Sequence, residues 1–161
     1  MLCRAAEKVC RESGYETVLL TDTLSCEARE AGAMFASLAR EHAGRGKKAF
    51  IAGGETVVKL KGKGKGGRNQ EMALAAAIGM EGLENVLFFS LGSDGTDGPT
   101  DAAGGFANGN TAEAMKVNGI DPADALENND AFHALLAAGS LLFTGPTGTN
   151  VNDISVLLIG E

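Results

Sequence analysis

Most residues of this chain that could do chemistry sit in two glycine-rich loops. The first reads GKGKGG from Gly62 to Gly67 and runs into Arg68. Lys63, Lys65 and Arg68 supply positive charge to meet an anion, and glycines let backbone N–H groups come close to it. The second reads SDGTDGPTD from Ser93 to Asp101 and places Asp94, Asp97 and Asp101 within eight positions. Carboxylates are hard oxygen ligands for a divalent cation, or bases for a hydroxyl proton. A phosphorylated substrate carrying Mg²⁺ would use both loops. A third polar loop, TGPTGTNVND from Thr144 to Asp153, offers Thr147, Thr149 and Asn150 as further donors to phosphate oxygens.

Other readings compete with these. GKGKGG formally matches G-x-G-x-x-G, but a dinucleotide-binding turn follows a strand buried on both faces, and ETVVKLK before it has a polar face. No Gly-Lys-Ser/Thr occurs, so the loop is not a P-loop, and a solvated basic hairpin tip remains open. The aspartates lack EF-hand spacing and also suit a pair of Asp-Gly turns. His42 and His133 have no partner at ligand or triad spacing, which leaves one solvated and the other on a helix face. No serine-centred nucleophile elbow is present.

The elements that must position these loops follow from periodicity. Leu2, Ala5, Ala6, Val9 and Cys10 predict a helix from Leu2 to Ser13, stopped by Gly14. TVLLT from Thr17 predicts a short buried strand, and Ala28, Ala31, Phe35, Leu38 and Ala39 predict an amphipathic helix from Ser25 to His42. KAFIA from Lys48 is a second strand. Alternation from Glu55 to Lys61 predicts a third, with Thr56, Val58 and Leu60 on one face. Asn69 to Met80 is a helix apolar nearly all round, with Arg68 at an N-terminus that attracts anions. Asn85 to Leu91 is a central strand whose carboxyl end opens on the aspartate loop, the usual ligand position in open α/β sheets. Thr111 to Val117, Pro122 to Glu127 and Ala131 to Ala138 are short helices, the last capped by Asp130. Leu141 to Thr144 and Ile154 to Ile159 are final strands whose connecting loop suits antiparallel neighbours. The expected fold is α/β, a three-layer α/β/α sandwich with a mixed β-sheet, in one domain over residues 1–161.

Composition narrows the partners. A formal net charge of −7 argues against nucleic acid or an anionic membrane as the main partner. No apolar run approaches the roughly 20 residues of a membrane span. Cys3, Cys10 and Cys26 are an odd set without metal-like spacing, which points to reduced core thiols and a cytoplasmic protein. With 5% aromatic residues and 23 glycines, small side chains must pack helices and sheet at close range. A helix that starts straight after Met1 without a capping residue suggests a domain of a longer chain.

GGET at Gly53, GKGKGGRNQE at Gly62, GSDGTDGPTDAAG at Gly92, NDA at Asn129 and TGPTGTNVND at Thr144 resemble, in this order, the C-terminal MOFRL domain of glycerate 2-kinases. Such proteins also carry the label hydroxypyruvate reductase. The resemblance covers nearly the whole chain; Ser93 stands where the family usually has Thr. It implies ATP- and Mg²⁺-dependent phosphorylation of D-glycerate to 2-phosphoglycerate, in a cleft completed by an N-terminal domain of the same polypeptide. On this basis Arg68 and Asp97 are the expected catalytic residues. Lys63, Lys65, Gly66, Gly67, Asn69, Thr147, Thr149 and Asn150 are expected to bind phosphate or substrate, and Asp94 and Asp101 to hold the metal. Asp94 and Asp97 can exchange the roles of metal ligand and base. An isolated domain of this kind should be inactive and expose an interface that favours homo-oligomers. An NAD(P)H-linked reductase and a non-catalytic docking module are the alternative readings.

Overall fold

The computed structural model describes residues 1–161, folded as a six-stranded mixed sheet between unequal helical layers. The strands are β1 (Glu16–Leu24), β2 (Lys48–Gly54), β3 (Val86–Gly92), β4 (Gly104–Asn108), β5 (Leu141–Leu142) and β6 (Asp153–Ile159). The helices are α1 (Leu2–Glu12), α2 (Ala28–His42), α3 (Arg68–Gly79), α4 (Thr111–Val117), α5 (Pro122–Glu127) and α6 (Ala131–Ala137). In the sheet order β1-β2-β6-β3-β4-β5 only β1 and β2 are parallel; every other pair is antiparallel. The apolar runs β2 and β6 are buried at the centre, as such runs require.

The thick layer is built on α3, whose Met, Ala and Leu side chains are buried almost all round. It packs against α2 so closely that a Cβ on Gly32 would lie 2.3 Å from the Met72 carbonyl. The main core also holds Phe35 and Phe88, with ring centroids 4.8 Å apart. Each such fully buried large side chain contributes on the order of 1.5–3 kcal/mol. The other face is covered by α1, through a smaller cluster of Cys3, Ile51, Ile154 and Val156. An apolar recess of about 420 Å³ opens beside α1, between Leu2, Val9, Phe89 and Leu158.

Several sequence expectations change. Residues 55–61 are not a strand; only Val57 bridges to Glu27. Gly54, at φ +145°, turns the chain out of the sheet where a Cβ would lie 2.3 Å from Leu24 N. Thr56 turns inward while Leu60 stays exposed, so the alternation reflects a lining segment rather than a ladder. β1 is longer than TVLLT and only partly buried, because it is the sheet edge. β4 was not foreseen: its GGFAN has a single strand former, Phe106, but Gly104 lets it lie against β3 where a Cβ would meet Ser90 O at 2.0 Å. β5 and β6 are not neighbours, since β4 and β3 lie between them, so the loop of residues 143–152 must return across the end of the sheet. Asp130 precedes α6 but makes no side-chain cap bond; its carboxylate accepts from Lys65 N and contacts His133 Nδ1 at 2.6 Å. His133 therefore has a partner, and His42 stacks on Phe50 at 4.9 Å instead of standing free in solvent. No helix is long and apolar enough to cross a membrane.

The three cysteines are free but differ in exposure: Cys3 is buried, Cys10 half-buried and Cys26 exposed, so Cys26 is not a core thiol. Burial pushes the Cys3 and Cys10 thiols above their ordinary value, so their thiolates form only at higher pH. In titration with a chromogenic disulfide at neutral pH, one thiol per chain should react fast and two slowly. The slow phase should keep accelerating as pH rises beyond the ordinary thiol range.

Candidate functional site

Across the central strands, Asp153 at the start of β6 pairs with Gly54 of β2 on one side and Gly92 of β3 on the other. A Cβ on Gly92 would lie 3.5 Å from Asp153 Oδ1, so a glycine there keeps the carboxylate uncrowded, and Arg68 pairs with it. Arg68 Nε donates to Asp153 Oδ2 at 2.5 Å and Nη2 to Oδ1 at 3.0 Å, a bidentate pair. Asp153 is 9% exposed and Arg68 35%, so one edge of the guanidinium is locked while the other faces outward. The outward Nη1 lies 3.1 Å from Glu55 Oε1. The bond to Asp153 holds the guanidinium above its ordinary pKa, so Arg68 is a fixed cation.

Arg68 opens α3, but this helix N-terminus does not wait for a ligand anion. Asp97, 3% exposed, already occupies it. Its carboxylate accepts from Asn69 N, the Asn69 amide and Gln70 N at 2.9–3.1 Å. Burial pushes the Asp97 carboxyl above its ordinary value, against the pull of those donors. Gly67 meets the same group so closely that a Cβ would lie 2.3 Å from Asp97 Cγ, and Gly98 abuts Gly66 O. Asp97, expected as a catalytic group, is thus the tie between the lysine loop and the aspartate loop. Asn69, expected to touch phosphate, is buried instead, its amide committed to Asp97 and to the Ser90 hydroxyl at 2.6 Å. Ser90 in turn contacts Ser155 across β3 and β6 at 2.8 Å.

The three loops do gather at one end of the sheet. Thr147 N donates to Asp94 O, Ser93 N to Asn152 O, and Val151 N to the Ser93 hydroxyl. Thr147 Oγ1 donates to Ser93 O, so this hydroxyl is partly spent on the loop itself. Thr149 and Asn150 are exposed. Lys63 is exposed and its ammonium has no carboxylate within ion-pair distance. Lys65 instead lays its ammonium over the Phe132 ring, 4.4 Å from the centroid, at the edge of the site. Both lysines are held by backbone contacts to the corner between α5 and α6: Lys63 N donates to Asn128 Oδ1 and Lys65 N to Asp130 Oδ1.

That corner is anchored to the core by a buried polar network outside the expected site. Asn129, at φ +54°, accepts from Lys61 N and Gly62 N and donates to Glu71 Oε2 at 2.9 Å. Glu71 Oε1 receives Arg29 Nε at 3.2 Å, and Arg29 reaches Glu127 at 2.7 Å. The sequence motifs GGET, GKGKGGRNQE, NDA and TGPTGTNVND contain Glu55, Glu71, Asn129 and Asp153 but assign them no role, and Arg29 lies outside them. A signal existed for two of them: Asp153 opens an otherwise apolar strand and Glu71 lies in an apolar helix, and a buried acid requires a partner.

No three His, Cys, Asp or Glu side chains converge as a metal cage. Mg²⁺ that arrives on phosphates takes only one or two protein carboxylates. Asp94 fits that need: it is half-buried and only Thr96 N donates to it, at 3.0 Å. Asp101 is exposed beside the same loop.

The family model described as "MOFRL family" matches residues 48–153, from the first residue of β2 to the Arg68 partner Asp153. The chain belongs to the MOFRL family. It is 52% identical to a D-glycerate 2-kinase of Thermotoga maritima over 98% of this chain and 39% of that protein. It is 41% identical to an Agrobacterium vitis protein, over 99% of this chain and 43% of that one, whose name, hydroxypyruvate reductase, is marked as provisional. A crystal structure of a glycerate kinase from Thermotoga maritima superposes with a TM-score of 0.95 at 52% identity, covering 98% of this chain and 39% of that one. The MOFRL chain thus spans about two-fifths of the length of these relatives.

The geometry separates the aspartates experimentally. Asp97→Ala orphans three buried donors and should cost at least about 2 kcal/mol of stability. Asp94→Ala removes one contact within its own loop and should cost less than about 1 kcal/mol. Urea unfolding of the two variants beside the wild type checks both.

Proposed function

We propose that this MOFRL domain forms one wall of the active site of an ATP- and Mg²⁺-dependent kinase that converts D-glycerate to 2-phosphoglycerate. A further domain of the same polypeptide forms the opposite wall. The observation that carries this reading is Arg68: a guanidinium fixed along one edge by a buried carboxylate and met along the other only by the exposed Glu55 carboxylate, where the glycine loops meet. The names of the relatives support the substrate class.

Phosphoryl transfer needs positioning and charge neutralisation more than covalent chemistry. Arg68 Nη1 meets the transferring phosphate or the substrate carboxylate. Lys63 adds mobile positive charge, while Lys65, held on Phe132, adds a fixed one. Gly66 and Gly67 line the same recess as Arg68, with Gly67 packed on Asp97 and Gly66 on Ala131, and Thr149 and Asn150 close the site from the third loop. Bound Mg²⁺ would neutralise nucleotide phosphate charge, and Asp94, alone or with Asp101, is the carboxylate that fits it. Asp97 enters as a positioning residue that holds α3 and two loops in register.

The test uses the polypeptide that carries this domain together with the portion its relatives have beyond it. ADP release that requires both ATP and D-glycerate is the expected result, and Arg68→Ala should lower its rate on the order of 10²-fold or more. Near-normal turnover in that variant would remove Arg68 from the mechanism. Oxidation of NADPH by hydroxypyruvate without glycerate-dependent ADP release would replace the kinase with the reductase. The glycine run speaks against the reductase, because it follows no strand and its glycines pack on the α5–α6 corner, where a Cβ on Gly62 would lie 2.3 Å from Asn128 O.

A further inference from the structure

Arg68 carries two carboxylates of unequal standing. Asp153 is nearly buried and bidentate, whereas the Glu55 side chain is 64% exposed and meets only Nη1. An exposed ion pair is weak and readily exchanged, while a buried bidentate one is not. The Glu55 backbone is fixed, with its N–H donating to Leu24 O at 2.8 Å, so only the side chain needs to move. Glu55 and Arg68 line a cavity of about 650 Å³ together with Thr56, Gly66 and Gly67. Thr56, 4% exposed, has a hydroxyl without any hydrogen-bond partner. Thr56 borders both this cavity and the packed space against Leu24, Met72 and Ser155, and its hydroxyl oxygen is buried rather than open to the cavity.

We propose that Glu55 is an exchangeable counter-ion: its carboxylate holds the ligand-facing edge of Arg68 until a compact oxyanion, phosphate or carboxylate, displaces it. The inference rests on the reading of Arg68 as the anion-binding group. It assigns Glu55 a specificity role. The ligand must out-compete a carboxylate already present, which favours multiply charged phosphate over a single carboxylate. Asp153 stays in place and keeps the guanidinium aimed throughout the exchange.

The experiment is an NMR titration of this chain and its Glu55→Gln variant with inorganic phosphate and, separately, with D-glycerate, following the Arg68 side-chain N–H groups and the loop glycines. Glu55→Gln keeps the shape and removes the charge. It should tighten phosphate binding about 1.5- to fivefold, in line with the loss of one competing surface pair. Wild type should bind phosphate more tightly than D-glycerate, and the gap should narrow in the variant. Equal or weaker phosphate binding by Glu55→Gln, or no binding by either protein, overturns the exchange. Arg68→Gln separates the two levels. If it abolishes binding while Glu55→Gln changes nothing, only the counter-ion role falls. If Arg68→Gln binds phosphate like wild type, the reading of Arg68 falls with it.

Discussion

The site depends on one bidentate ion pair between Arg68, the first residue of α3, and Asp153, the first residue of β6. Removing either partner from such a pair leaves a charge without compensation in a partly buried place, and this makes the arrangement all-or-none. Its position is dictated by the sheet. β6 lies between β2 and β3, and the residues paired with Asp153 on both sides are glycines. The pair therefore links the helix that starts the site to the strand that ends it, over 85 residues of chain.

Around that pair the remaining polar groups act as fasteners. Asp97 closes the N-terminus of α3 and binds the aspartate loop to the lysine loop in one set of contacts. Asn129, Glu71 and Arg29 fix the start of the lysine loop from the opposite side, in a network reaching from α2 to the α5–α6 corner. The loops therefore combine glycine-rich backbone with anchors on rigid elements. Charged tips such as Lys63 are left exposed and unpaired, and the outer edge of Arg68 meets only the exposed Glu55 carboxylate. Loops anchored in this way are ordered without a ligand, and such order reduces the entropic cost of any binding.

Much of this was legible in the sequence. The apolar run after Arg68 reads as a buried helix, and the two glycine-rich loops and the third polar loop announced themselves by composition and lie together at one end of the sheet. What was not legible depended on partners distant in sequence. GGFAN becomes β4 because Gly104 fits closely against β3, and ETVVKLK leaves the sheet at Gly54, whose φ of +145° and close approach to Leu24 suit a glycine. The aspartates were visible, but their roles were not. Asp97 is set apart from Asp94 by burial against α3, and nothing in SDGTDG encodes that. Asp153 escaped notice because it stands at the end of a polar loop, where a carboxylate looks solvated until the strand behind it is placed.

The most direct test of the account is a double-mutant cycle on stability with Arg68→Gln, Asp153→Asn and both together. The pair as described predicts strong coupling: each single change should be clearly destabilising, and the double variant should cost less than the sum by about 1–3 kcal/mol. Additive losses would mean that Arg68 and Asp153 act independently, and would contradict the fixed guanidinium on which this description of the site rests.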